Sequence, residues 1–163
     1  MVAIIDDDPD FCDLLECHLE ELGYRTARFL GGEAAMKSAS LREASCVLLD
    51  LNLPGFTGIE VLRGLLQQHS HLPVVMMTAD EAVENIVLAM RAGAYDYLTK
   101  PPSAEKLRAV LRNAVDKYRL TLQVMSLSRE ARAGSVEGII GRSAAIRQMF
   151  RNLDRIAATS INV

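Results

Sequence analysis

A chain of 163 residues, half of them hydrophobic and 24% charged, has enough apolar material for one ordinary folded domain with some chain beyond it. No stretch approaches the roughly 18 to 20 apolar residues of a membrane span, and Met1-Val2-Ala3-Ile4-Ile5-Asp6 meets acid without a basic flank, which argues against a secretory signal. The net charge of −3 hides an uneven split: residues 1–100 carry 16 acidic and 7 basic side chains, residues 101–163 carry 5 and 11. The acidic part suits a cation site. The basic residues of the second part interleave with apolar ones at helical spacing, which reads as a solvated helix face rather than a nucleic-acid surface. Cys12, Cys17 and Cys46 have no metal-ligand spacing and fit a reducing, cytoplasmic location.

In chain order, Val2-Ala3-Ile4-Ile5 predicts a first strand ending at Asp6-Asp7-Asp8. Pro9 suits the first turn of a helix with Asp8 as N-cap, Phe11, Leu14, Leu15, Leu19 and Leu22 recur at helical spacing, and Gly23 is a stop. Tyr24 to Phe29 has the composition of an edge strand. After Gly31-Gly32, a short helix is expected over residues 33–40. Cys46 to Leu49 is a strand with Asp50 at its end, apolar without alternation and therefore buried on both faces. The Leu53-Pro54-Gly55 turn leads to a helix over residues 59–69. Pro73 to Met77 is a strand ending at Thr78, Val83 to Met90 a helix stopped by Gly93, and Ala94 to Leu98 a fifth strand before Thr99-Lys100-Pro101-Pro102.

Strand and helix alternating five times predict a doubly wound α/β fold with a five-stranded parallel sheet. Such sheets bind ligands outside the carboxyl ends of their strands. Asp6, Asp7, Asp50, Thr78 and Lys100 all end apolar strands, so one edge gathers three carboxylates, a hydroxyl and a lysine. That set suits a divalent cation and a phosphoryl group. Each residue alone has a plainer reading: the acidic run as a helix start, Thr78 as a helix cap, Tyr97 as half-buried core, Lys100 as a surface lysine. His18, His69 and His71 read as surface residues, and the nucleotide-binding and zinc-protease patterns GxxxxGK[ST], GxGxxG and HExxH are missing.

The ordered set Asp6-Asp7, Asp50 with Pro54-Gly55, Thr78-Ala79, Tyr97 and Lys100-Pro101 resembles the response-regulator receiver domain of two-component signalling, over residues 1–120. The resemblance implies the flavodoxin-like strand order 2-1-3-4-5 and a regulatory domain rather than an enzyme. It implies Mg²⁺ held by Asp7, Asp50 and the backbone carbonyl of Asn52, with Asp6 acting through water. It implies Asp50 as acceptor of a phosphoryl group from a sensor histidine kinase, Lys100 as counter-charge after a cis peptide to Pro101, Thr78 as the hydroxyl that senses the phosphoryl group, and Tyr97 as a switch. Two other readings remain: a haloacid-dehalogenase-like phosphatase using Asp6-x-Asp8, whose pattern breaks at Pro9-Asp10, and a degenerate receiver that only binds partners.

Ser103 can start the last helix, expected to run to about Arg129 within a linker spanning residues 104–133. Leu107, Leu111, Ala114, Tyr118, Leu122 and Met125 form an imperfect heptad seam that suggests a coiled-coil homodimer. Ala133-Gly134-Ser135 is an expected break. Gly138 to Ser143 and the apolar face Ile146, Met149, Phe150, Leu153 and Ile156 resemble the entry to the AAA+ ATPase domain of sigma-54-dependent activators of the NtrC type, here residues 138–163. The expected whole protein engages sigma-54 RNA polymerase and DNA. No nucleic-acid-binding element is expected in this piece, nor a membrane.

Overall fold

A computed structural model describes residues 1–79 and 82–140, with residues 131–140 described by their backbone course alone. The apolar runs form β1 (Val2–Ile5), β2 (Thr26–Phe29), β3 (Cys46–Asp50), β4 (Val74–Thr78) and β5 (Asp96–Thr99). They make one parallel sheet in the order β2-β1-β3-β4-β5. Every residue of β1, β3 and β4 is buried, as a central strand covered on both faces requires.

The helices are α1 (Pro9–Glu21), α2 (Gly32–Lys37), α3 (Gly58–Gln68), α4 (Val83–Arg91) and α5 (Ala104–Ile140). Side chains alternate across the sheet and split the core in two. Ala3, Ile5, Val47 and Leu49 pack with Ala35 of α2, Val61, Leu62 and Leu65 of α3, and Ala89 of α4. Val2, Ile4 and Leu48 pack with Cys12, Leu15 and Leu19 of α1 and with Leu107, Val110, Leu111 and Ala114 of α5.

Several boundaries differ from the sequence expectation. β2 starts at Thr26, because Gly23 (φ +81°) and Tyr24 turn their N–H groups back to Glu20 and Leu19 and close α1. β5 starts at Asp96, because Gly93 and Ala94 likewise donate to Met90 and Ala89 and close α4. The short helix ends at Lys37 and is followed by a 3₁₀ helix (Ala39–Glu43), whose start is capped by the Ser38 hydroxyl accepting from Ser40 N at 3.2 Å.

The chain divides into two units, Met1–Thr121 and Leu122–Val163. α5 continues through the expected break at Ala133-Gly134-Ser135 to Ile140. A lone glycine in a helix costs only about 1 kcal/mol, less than a stop requires. The dimer seam also needs correction. Leu107, Leu111 and Ala114 are fully buried in the core of the first unit and are not available to a second chain. Spacing of three and four residues describes a helix packed on a sheet as well as a coiled coil, so it does not discriminate between them. Residues 141–163, with the expected Ser143 cap and the apolar face from Ile146 to Ile156, lie outside the described residues.

The turn that follows β3 is fixed from both ends. Gly55 takes φ +84°, Asn52 and Thr57 form an isolated antiparallel bridge, and Gly58 N donates to Leu51 O at 2.8 Å. Thr57 and Glu60 form a reciprocal capping box at the start of α3. A Cβ on Gly58 would lie 2.3 Å from Asp50 O and 2.7 Å from Leu51 Cα, both backbone atoms that cannot swing aside. Gly58→Ala is therefore expected to lower the unfolding free energy by about 1–3 kcal/mol, as overpacking does, measured by urea denaturation. An unchanged midpoint would show that the loop yields.

Candidate functional site

Parallel register brings the polar strand ends to one edge. Ile5 pairs with Leu49, Asp50 with Met77, and Thr78 with Thr99, so Asp6, Asp50, Thr78 and Lys100 lie side by side across four strands. Lys100 N donates to Thr78 O at 2.8 Å, Asp6 N donates to Phe29 O at 3.1 Å, and the Lys100–Pro101 peptide is cis, as expected. β1 turns to β2 on one side and to β3 on the other, so the crevice opens at the switch in strand order.

The centre of the site is an ammonium between two carboxylates. Lys100 Nζ lies 2.5 Å from Asp6 Oδ2 and 2.8 Å from Asp50 Oδ1. Asp6 is fully buried and Asp50 nearly so. Asp6 Oδ1 accepts from Asp8 N at 3.1 Å. Asp6 Oδ2 touches the ammonium but has no aligned hydrogen-bond donor among the described residues. Asp7, exposed, completes the group: one carboxylate oxygen from each of Asp6, Asp7 and Asp50 lies within 4.8 Å of the others. Hard oxygen donors, a buried acceptor lacking an aligned donor and an open side fit an ion such as Mg²⁺, which keeps water ligands.

The electrostatics follow from burial. Desolvation pushes the Asp50 carboxyl above its ordinary range, and the nearby Asp6 adds to this. Lys100 and the Asn52 backbone N–H oppose the shift without cancelling it. Burial pulls the Lys100 ammonium down, but its close pairing with Asp50 and Asp6 more than reverses this and holds it above its usual value. Cys12, whose Sγ donates to Asp6 O at 3.6 Å, is raised by burial to about 11 and stays a thiol.

The remaining predicted residues sort clearly. Thr78 is buried at the end of β4, and the N-cap position of α4 is taken by Ala82. Tyr97 is half-buried on β5, with Lys106 Nζ 5.0 Å from its ring centroid. Thr78 and Tyr97 both line a small, partly open cavity with Leu51, Met76, Asn85, Ile86 and Ala89. Asn52 is exposed in the loop after β3. Asp8 is turned away from the site, since its Oδ1 caps α1 by accepting from Asp10 N and Phe11 N. The Asp6-x-Asp8 phosphatase reading thus loses its second carboxylate. Tyr118 is half-buried against the core, Leu122 is exposed and Met125 half-buried. Sequence reading missed Phe11, which spacing marks only as core but whose ring faces Lys100 Nζ at 4.7 Å.

Among the described residues, no helix is long and apolar enough to cross a membrane. The chain is 32% identical over 166 residues to the nitrogen assimilation regulatory protein NtrX of Azorhizobium caulinodans, covering 99% of this chain and 36% of that protein. It is 29% identical over 163 residues to the DNA-binding transcriptional regulator NtrC of Escherichia coli, covering 100% of this chain and 34% of that one. It therefore spans about a third of the length of these curated relatives. The crystal structure of the receiver domain of NtrX from Brucella abortus superposes with a TM-score of 0.67 at 32% identity, covering 71% of this chain and 98% of that chain. The model of the response regulator receiver domain matches residues 2–112. With that match laid over a 2-1-3-4-5 sheet and its acidic edge, the chain belongs to the response-regulator receiver family, the regulatory modules that receive phosphorylation-dependent signals in two-component systems.

Proposed function

We propose that Asp50 is the phosphoacceptor, and that the chain promotes its own phosphorylation by a phosphohistidine on a sensor kinase. The observation that carries this reading is one half-buried ammonium within 2.8 Å of two buried carboxylates, beside a third, at the strand edge where such sheets bind ligands. An Asp50 oxygen attacks phosphorus, the P–N bond of the phosphohistidine breaks, and the imidazole leaves while Asp50 becomes an acyl phosphate. Asp7, Asp50 and the Asn52 carbonyl would hold Mg²⁺, with Asp6 acting through water. Bound there, the ion supplies positive charge against three carboxylates and a phosphoryl group. Lys100 adds the fixed counter-charge and Thr78 a hydroxyl that can donate to a phosphoryl oxygen. The rest is positioning and electrostatics.

Tyr97 would report the change. Thr78 and Tyr97 line the same small cavity, so the two side chains share one neighbourhood. An inward turn of Tyr97 would bring its ring toward Thr78, which would couple the two events.

The relatives' names support a receiver from a transcriptional regulator, and we place it in a cytoplasmic sigma-54-dependent activator in which phosphorylation controls a downstream ATPase. This chain's own part would be regulatory, without ATP hydrolysis. A homodimer would form through the second unit, where Val124 and Leu127, three residues apart on one face of α5, are exposed at 63 and 64%. Leu107, Leu111 and Ala114 are excluded from it by burial.

Three outcomes test this. Asp50→Asn should reduce Mg²⁺-dependent labelling by a small acyl phosphate to background in a phosphorylation assay; labelling that persists refutes Asp50 as acceptor. The second concerns pH. A raised Asp50 pKa means that the folded chain keeps a proton which the unfolded chain loses above about pH 4. Stability from this group falls as pH rises through the window between those two values, then levels off. In chelator, the stability of Asp50→Asn relative to the natural chain should therefore grow as pH rises through that window; urea unfolding that gives the opposite slope would show that Lys100, not burial, dominates. Third, sedimentation should detect a concentration-dependent dimer that Val124→Glu with Leu127→Glu shifts to monomer. A natural chain that stays monomeric at high concentration contradicts the dimer.

A further inference from the structure

We propose that Phe11 is a positioning residue for phosphoryl transfer: the face of its ring holds the Lys100 ammonium against Asp50 and Asp6. The proposal rests on the reading of Asp50 as the phosphoacceptor. Lys100 Nζ lies 4.7 Å from the ring centroid, inside the range of a cation–π contact. An ammonium has three donors on a flexible four-carbon stem. Two directions are taken by Asp6 Oδ2 and Asp50 Oδ1, and the ring covers another. The Lys100 side chain is left 16% exposed, so this contact is largely shielded from water.

The ring is tied to the same carboxylate that the lysine pairs with. Asp6 Oδ1 accepts from Asp8 N at 3.1 Å, and Asp8 Oδ1 accepts from Phe11 N at 3.1 Å. Phe11 faces Lys100, which returns to Asp6 Oδ2. This closed circuit runs from the end of β1 through the first turn of α1 to the end of β5. It gives the run Asp6-Asp7-Asp8-Pro9-Asp10-Phe11 a use beyond metal binding.

An aromatic face suits this place for a chemical reason. When Asp50 becomes an acyl phosphate, its negative charge moves outward to the phosphoryl oxygens, and Lys100 loses one of its two carboxylate anchors. A further carboxylate would hold the lysine but repel the incoming phosphoryl group. The π-face attracts the cation without adding net charge, so the ammonium stays at the site while its anionic partner changes.

The test uses the full chain with Phe11 replaced by mono-, di- and trifluorinated phenylalanine, which keep the ring's shape while weakening its cation affinity stepwise, and with Phe11→Leu and Phe11→Tyr. At saturating Mg²⁺, the rate constant for labelling by a small acyl phosphate should fall about three- to tenfold in Phe11→Leu, decline in steps along the fluorinated series, and recover in Phe11→Tyr. A flat fluorinated series overturns the proposal, since a purely steric ring would give that result. In the metal-free protein, NMR should show Lys100 side-chain protons shifted by the ring current, and Phe11→Leu should remove the shift. Unshifted protons in the natural chain also overturn it. Asp50→Asn separates the two readings: if label persists there, the phosphoacceptor assignment has failed, whereas label confined to Asp50 with a flat series defeats the Phe11 role alone.

Discussion

Lys100 between Asp6 and Asp50 is the contact on which the molecule depends. Two carboxylates could not share a buried edge without a compensating cation, because removing an unpaired charge from water costs several kcal/mol or more. The cation arrives from the last strand, while the anions belong to the first and third. The pairing therefore requires β1, β3, β4 and β5 in register at once. The two-sided core of Ile4, Ile5, Leu48, Leu49, Val75 and Met76 supplies that register, and the polar edge exists because the apolar strands beneath it leave no freedom to slip.

The compensation is incomplete. Asp50 remains shifted toward its protonated form even with Lys100 at 2.8 Å. Asp6 keeps a buried oxygen with no aligned donor. Three carboxylates against one ammonium leave net negative charge at the edge, and this is why the site fits a divalent cation better than a second lysine would. A second lysine would neutralise the acids but could not be given up when the chemistry required it, whereas an exchangeable ion with water ligands can.

Much of this edge is legible in the sequence because buried parallel strands are written as uninterrupted apolar runs, and any polar residue ending such a run stands out. Asp6, Asp50, Thr78 and Lys100 are all marked in this way. Phe11 is not, since an aromatic residue at helical spacing looks the same whether it faces core or a cation. The opposite error arises in α5, where Leu107, Leu111 and Ala114 carry a heptad-like spacing but are used against the sheet. Periodicity reports that a helix has a covered face and is silent on what covers it. The 3₁₀ helix at Ala39–Glu43 was hidden because its start depends on one Ser38 hydroxyl contact.

The segment from Tyr97 to Lys106 joins the site to the long helix. Within ten residues it carries the candidate switch ring, the ammonium of the site and the first turn of the long helix. Lys106 Nζ sits over the Tyr97 ring at 5.0 Å, while Lys100 reaches Asp50. The ring is thus held by a cation from α5 while it lines the same cavity as Thr78. An inward turn of Tyr97 would give up the Lys106 contact, worth about 0.5–1 kcal/mol at an exposed site. A difference of that size is small enough for a change in charge and hydrogen bonding at Asp50 to outweigh. In the proposed switch, the local chemistry would reach α5 through these few short contacts.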